Sequence, residues 1–150
     1  MLEDIVKVKI KIKKLHPDAI IPNYAHPGDV GMDLYSVEDV AIAPGKRATI
    51  STGIAMEYPP GYCTLFWDKS GLASKNGITV LAGAVEYTYR GDYKVVLLNT
   101  SDSEYKVKKG DKIAQVLVMP IMTAEVEEVQ ELSESVRGAN GFGSTGLSKK

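Results

Sequence analysis

Val6, Val8, Ile10 and Ile12 alternate with Lys7, Lys9, Lys11 and Lys13, and a period of two belongs to a strand with one face buried and the other wet. From Ala41 to Pro60, two short apolar stretches lie between Pro-Gly pairs that mark turns, which predicts a hairpin or meander. Ser70 to Gly77 predicts the one helix, a turn or two long, with Ser70 as its N-cap and Gly77 as its C-terminal stop. Ile78 to Val85 and Lys94 to Leu98 are apolar and partly β-branched, so they predict a strand hairpin whose bend is the polar run 87–92. A further strand pair is expected over Tyr105 to Met122, interrupted at Lys109-Gly110-Asp111, with Pro120 at its end or edge.

After Val129 the apolar pattern stops. Residues 131–150 hold Gly138, Gly141, Gly143, Gly146 and several serines, so this tail cannot build a core by itself. Many short strands separated by turn signals predict an all-β fold, a sandwich or small barrel. With 150 residues, 44% of them hydrophobic, the chain has the size of one domain. The expected division is a β-barrel domain over 1–130 followed by a flexible C-terminal arm over 131–150.

Eighteen Lys and Arg stand against nineteen Asp and Glu, a net charge of -1, so bulk electrostatics gives no partner role to nucleic acid or membrane. The lysines of the first strand are likewise separated by core-type residues and do not read as a nucleic-acid stripe. Any polyanion must be gripped locally. Charges interrupt every apolar run near the N-terminus, which leaves no place for a signal core or a membrane span there. The single cysteine, Cys63, excludes an intramolecular disulfide and suits a reducing compartment, so the cytoplasm is the expected location.

Three segments combine residue types that carry chemistry. Arg137 to Gly146 joins a fixed cation, flexible glycines, Ser144, Thr145 and Phe142; such a stretch either folds around phosphate oxygens and stacks on a base, or is a plain Gly/Ser tail. Lys69-Ser70-Gly71 offers unpaired N–H groups, a hydroxyl and an ammonium to an anion, or is an ordinary capped helix start. Asp33 and Glu86 stand among apolar and glycine residues that predict enclosed, turn-adjacent carboxylates suited to metal or water chemistry, against the simpler alternative of surface charge. His16 and His26 each adjoin a proline in expected loops and receive no role.

Taken in order, residues 27–34 (PGDVGMDL), 67–77 (WDKSGLASKNG), 82–92 (AGAVEYTYRGD), 109–120 (KGDKIAQVLVMP) and 137–146 (RGANGFGSTG) resemble the five motifs of the trimeric dUTPase family. The likeness spans the chain from about Ala25 to Gly146. It implies a jelly-roll or distorted β-barrel subunit with one short helix, in a homotrimer whose C-terminal arm crosses to a neighbouring copy. The implied activity is hydrolysis of dUTP to dUMP and pyrophosphate with Mg²⁺, which limits uracil in DNA and supplies dUMP for dTMP synthesis.

Carried over by position, Asp33 would orient water on a magnesium ion chelated by the triphosphate, and Glu86 would orient and deprotonate the attacking water. Lys69, Ser70, Gly71 and Gln115 would contact the phosphate chain. Ala82, Gly83, Val85 and Lys94 belong to the hairpin that would hold uracil, and Tyr89 would lie against the sugar and reject a 2′-hydroxyl. Arg137, Gly143, Ser144 and Thr145 would hold the γ-phosphate, with Phe142 over the base. Two departures stand out: the family places aspartates at 86 and 88, where this chain has Glu86 and Thr88, and arginine where it has Lys69. The dCTP deaminases that share the fold use a glutamate in the strand after the third motif, where this chain reads Lys94 to Asn99 without an acid. A nucleotide-binding regulatory trimer that has lost turnover is the other alternative.

Overall fold

The computed structural model describes residues 7–141. Eleven strands and one helix follow each other as β1 (Lys11–Lys14), β2 (Met32–Tyr35), β3 (Val40–Ile42), β4 (Arg47–Ser51), β5 (Ile54–Glu57), β6 (Tyr62–Trp67), α1 (Ser70–Asn76), β7 (Ile78–Leu81), β8 (Ala84–Glu86), β9 (Lys94–Asn99), β10 (Tyr105–Val107) and β11 (Lys112–Pro120). All ladders are antiparallel. They form the four-stranded sheet β2-β11-β6-β8, the three-stranded sheet β4-β9-β7, and the pairs β1-β5 and β10-β3.

The inner faces meet in one core. Leu34, Ile50, Ile54, Met56, Tyr93, Val95, Leu97, Ala114 and Val116 are buried in a single apolar cluster. In β9 the pattern alternates, with Val95, Leu97 and Asn99 buried and Val96 and Leu98 half-buried, as a strand between two neighbours requires. Of the strand expected from Val6 to Lys13 only Lys11 onward pairs, as β1, although burial alternates throughout: Lys7, Lys9, Lys11 and Lys13 are exposed, and Val8, Ile10 and Ile12 are half-buried. Val6 lies outside the described residues.

Pairing between strands departs from the sequence expectation. The stretch 41–60 makes no hairpin: β3, β4 and β5 pair with β10, β9 and β1 respectively. Likewise β10 and β11 are joined by the Lys109-Gly110 turn yet pair with β3 and with β2 and β6. Tight turns at Gly45, Gly53 and Gly110 send each strand across to another sheet, with positive φ at all three glycines. The expected strand 78–85 is broken at Ala82-Gly83, so β7 pairs with β9 while β8 joins β6. Pro120 does close β11, where it pairs with Tyr62.

The helix stands where the sequence places it, but its cap is shifted. Lys69, extended at φ −84° and ψ 121°, is the N-cap without a side-chain bond, and Ser70 is the first helical residue. Gly77 ends the helix in the left-handed conformation, its N–H bonded to Ala73 O. Residues 121–141 form no strand or helix, and their side chains are exposed. No helix among the described residues is long and apolar enough to cross a membrane.

Candidate active site

The site is built where β11 touches two partners at once. Gln115 stands opposite Asp33 of β2 on one side and opposite Trp67 of β6 on the other. That register fixes the first, second and fourth sequence motifs side by side. The Gln115 amide Nε2 donates to Asp68 O at 2.9 Å, which ties β11 to the loop leading into α1. Gly31 makes this approach possible: a Cβ there would come within 2.6 Å of Gln115 Oε1 and 3.0 Å of Leu117 Cδ1.

Asp33 is buried, as its sequence context predicts. Its Oδ1 accepts from Lys69 Nζ, and Lys112 Nζ lies 2.7 Å from Oδ2. The Lys112 contact has the distance of an ion pair without hydrogen-bond alignment, and Oδ2 has no hydrogen-bond donor. Burial pushes the Asp33 carboxyl up, but the ammonium groups of Lys112 and Lys69 outweigh it, and its pKa falls below the ordinary value. One buried acid held by two ammonium groups sets two cations beside the loop 69–71, where they can meet an anion.

Two residues that sequence reasoning passed over hold this corner. Lys112 supplies the second cation: three residues from Gln115 would face the other side of a regular strand, and the bulge between Lys112 and Ala114 turns it towards Asp33, which no local sequence signal announces. Asp68 accepts from Val80 N at 2.6 Å and from Thr79 Oγ1 at 2.8 Å, which fixes the start of the Lys69-Ser70-Gly71 loop against β7. At Gly71 a Cβ would meet nothing within 4 Å. Nothing in the chain's own packing calls for glycine there, although glycine weakens a helix by about 0.5–1 kcal/mol relative to alanine.

The third motif lies elsewhere in the same chain. Cys63 of β6 pairs with Glu86, whereas Trp67 pairs with Gln115. Four residues along one strand separate the two, on the order of 13 Å. Glu86 is exposed, against the expectation of an enclosed carboxylate, because β8 is the edge of its sheet and nothing among the described residues covers its outer side. Ala82 adopts φ 59°, and Gly83 O accepts from Phe66 N at 2.9 Å, so the two residues make the bend that leads into β8. The Val85 carbonyl is engaged by Tyr58 Oη at 2.7 Å. Tyr89 is exposed at the bend, with its hydroxyl on Asp92 O at 3.0 Å, and Lys94 is exposed at the start of β9.

Of the fifth motif, Arg137 is exposed in a turn closed by Asn140 N on Arg137 O at 3.2 Å. Phe142, Gly143, Ser144 and Thr145 lie outside the described residues. Within one chain, then, Asp33, Lys69, Ser70, Gly71 and Gln115 converge, while Ala82, Gly83, Val85, Glu86 and Tyr89 form a second group. Among the described residues, no three His, Cys, Asp or Glu side chains stand together as a metal cage.

An all-β jelly-roll subunit with a doubly cation-paired acid beside a glycine loop defines a β-barrel protein that binds anionic ligands. The sequence profile of the dUTPase family matches residues 17–146. The chain belongs to the dUTPase family. Deoxyuridine 5'-triphosphate nucleotidohydrolase of Thermobifida fusca (strain YX) is 50% identical over 142 residues, covering 93% of this chain and 79% of the relative. The enzyme of the same name from Clostridioides difficile is 51% identical over 140 residues, covering 92% and 98%. Among solved structures, Staphylococcus bacteriophage 80alpha dUTPase with dUPNHPP matches with a TM-score of 0.88 at 30% identity, covering 93% of this chain and 99% of that one. A dUTPase of phage phi11 of S. aureus, described with a structural Mg(II) ion, matches with a TM-score of 0.79 at 26% identity, covering 84% and 99%.

Proposed function

We propose that this chain hydrolyses dUTP to dUMP and pyrophosphate in a site assembled between copies of itself. The observation that carries the reading is the register of β11 and β6: β11 sets Gln115 beside Asp33 and Trp67, while Glu86 pairs with β6 four residues away, at Cys63. Family membership supplies the substrate class, and the register supports a site that draws its two halves from different chains.

In this reading the triphosphate enters beside the Lys69 and Lys112 ammonium groups, where Lys69, Ser70, Gly71 and Gln115 hold it and fix its conformation. Glu86 of a second copy orients a water in line with the α-phosphorus. The new bond joins that water oxygen to phosphorus, its proton passes to the Glu86 carboxylate, and the bond to the bridging oxygen breaks as pyrophosphate leaves. Ala82, Gly83 and Val85 border the base, Lys94 lies at the foot of the same hairpin, and Tyr89 borders the sugar. The arm over 131–150, with Arg137, Phe142, Gly143, Ser144 and Thr145, closes over the bound nucleotide.

Magnesium fits as an ion carried in by the phosphates. The described residues include no cage of their own, and Asp33 Oδ2, buried without a hydrogen-bond donor, would accept from one water of the ion's shell. The bound ion would offset charge on the triphosphate.

A homotrimer with an exchanged arm accounts for two further features. An open groove of about 1100 Å³ is lined by Val8, Ile10, Tyr24, Tyr62, Val118 and Pro120. Beyond it Met122, Val126 and Leu132 are almost fully exposed, interspersed with Glu125, Glu127, Glu128 and Glu131. Residues 121–130 contain neither Gly nor Pro to turn the chain back on itself, so this apolar segment suits the apolar groove of another copy. A half-buried single thiol suits a reducing compartment, the cytoplasm.

Purified protein incubated with dUTP, dCTP, dTTP and UTP and Mg²⁺ tests the reading. Pyrophosphate released from dUTP, abolished by EDTA and slow with the other three, is expected. Ammonia from dCTP would instead favour a deaminase, and tight dUTP binding without turnover a regulatory trimer.

A further inference from the structure

Tyr89 is held at the hairpin bend by its immediate neighbours. Its hydroxyl donates to Asp92 O at 3.0 Å, and its ring lies 6.1 Å from that of the buried Tyr93. It also folds over Gly91. A Cβ on Gly91 would sit 2.5 Å from Tyr89 Cζ and 2.9 Å from Cε2, and closer still to the hydroxyl. The backbone at Gly91 is outside the left-handed region, so glycine is required there for space and not for conformation.

The frame around the ring is fixed. Asp92 accepts from Ser51 Oγ at 2.6 Å and from Gly53 N at 2.9 Å, and Tyr93 N donates to Ile54 O at 2.8 Å. With Thr52 Oγ1 donating to Tyr93 O at 2.6 Å, four hydrogen bonds pin the base of the hairpin to the β4–β5 turn. A side chain added at Gly91 would therefore displace the free end of Tyr89 and leave the backbone in place.

We propose that Gly91 is a specificity-determining position: its bare Cα lets the Tyr89 ring lie over the bend, and so sets the wall that rejects a 2′-hydroxyl. The inference rests on the reading of Tyr89 as the neighbour of the sugar. Gly91 itself touches no substrate and acts only by positioning the ring.

The test compares kcat/KM for dUTP and UTP in full-length Gly91→Ala, Tyr89→Ala and the double variant. Gly91→Ala is expected to lower the dUTP/UTP ratio by about tenfold or more while leaving kcat on dUTP within about threefold, since small displacements of a positioning group carry large rate effects. The double variant should match Tyr89→Ala alone, because a residue that acts through Tyr89 adds nothing once Tyr89 is gone. An unchanged ratio in Gly91→Ala, with a lowered ratio in Tyr89→Ala, overturns the role of Gly91. An unchanged ratio in Tyr89→Ala overturns the placement of Tyr89 itself. If Gly91→Ala does not fold, the double variant should, because the collision is removed; failure of both to fold would show that the Cβ meets something other than Tyr89.

Discussion

Lys112 Nζ lies 2.7 Å from Asp33 Oδ2, the carboxylate oxygen that Lys69 does not touch. Two cations from different elements thus share one buried acid, and each has a different freedom. Lys69 stands just before α1, and in the proposed reading it exchanges its partner for an incoming phosphate. Lys112 then keeps Asp33 ionised, so the site need not leave a buried charge uncompensated at the moment of binding.

This arrangement predicts acid sensitivity. The Asp33 pKa lies below its ordinary value of 3.8, so its stabilising contribution is fully present above that value and is lost as pH falls through the folded pKa. Urea midpoints should be flat from neutral pH to about 5 and drop below about 4. Asp33→Asn should cost about 1–3 kcal/mol at pH 7 and flatten the acid limb. Some acid dependence should persist, since Asp18 and Glu57 are lowered in the same direction by Lys109 and Lys11. Turnover of dUTP by the variant should fall roughly 10- to 100-fold, as for other groups that orient a metal's water.

Gly31→Ala should strike Gln115 directly. The added methyl falls 2.6 Å from its Oε1 and 3.0 Å from its Cβ, so the amide must leave the Asp68 carbonyl. Overpacking of this kind costs about 1–3 kcal/mol. Thermal melting should register that loss, and KM for dUTP should rise as the phosphate loop loses its tie to β11.

Ala82 and Gly83 should respond in opposite directions to exchange. Ala82→Gly relieves a left-handed alanine at φ 59° and should stabilise the protein by about 0.5–1 kcal/mol. Gly83→Ala places a Cβ 2.9 Å from Phe66 O at φ 158° and should destabilise it. Equilibrium unfolding in denaturant checks both signs.

Glu86→Gln removes the acceptor for the water's proton and should lower kcat by about 10²- to 10⁴-fold with dUTP affinity, measured by calorimetry, largely kept. Glu86→Asp shortens the reach by one methylene and reports whether the backbone around β8 has adjusted to the longer acid. Equal rates for wild type and Glu86→Gln would remove Glu86 from the chemistry.

A chain ending at Gln130 should keep its circular dichroism spectrum and melting temperature within a few degrees, because the side chains of 131–141 are exposed. It should lose turnover, since the arm with Arg137 would be absent.

The sequence was most legible where local rules decide. Lysine alternation in β1 and the αL glycine at 77 depend only on near neighbours, and both appear as expected. Even so, the cap slipped from Ser70 to Lys69, because the serine hydroxyl makes no bond to the helix N–H groups and the extended backbone lies one residue earlier. Partner choice was legible for one pair, β7 with β9 across the bend at 87–92, and not for the others. β3, β4 and β5 follow one another within eighteen residues yet belong to three ladders, and nothing in a period of two says which distant strand will supply the hydrogen bonds. Long-range polar ties escaped for the same reason: Asp68 to Val80, Asp92 to Gly53 and Lys112 to Asp33 all join segments that only the folded sheet brings together. The exposure of Glu86 followed from its strand being an edge, a property of the sheet and not of the residues flanking the acid.

In the shared site proposed above, the spacing of Gln115 and Glu86 along β6 gives each copy one half of two different centres. Mixing two inert variants, one lacking Lys69 and the other lacking Glu86, should therefore regenerate some intact centres once subunits exchange, and activity should climb with the time allowed for reshuffling.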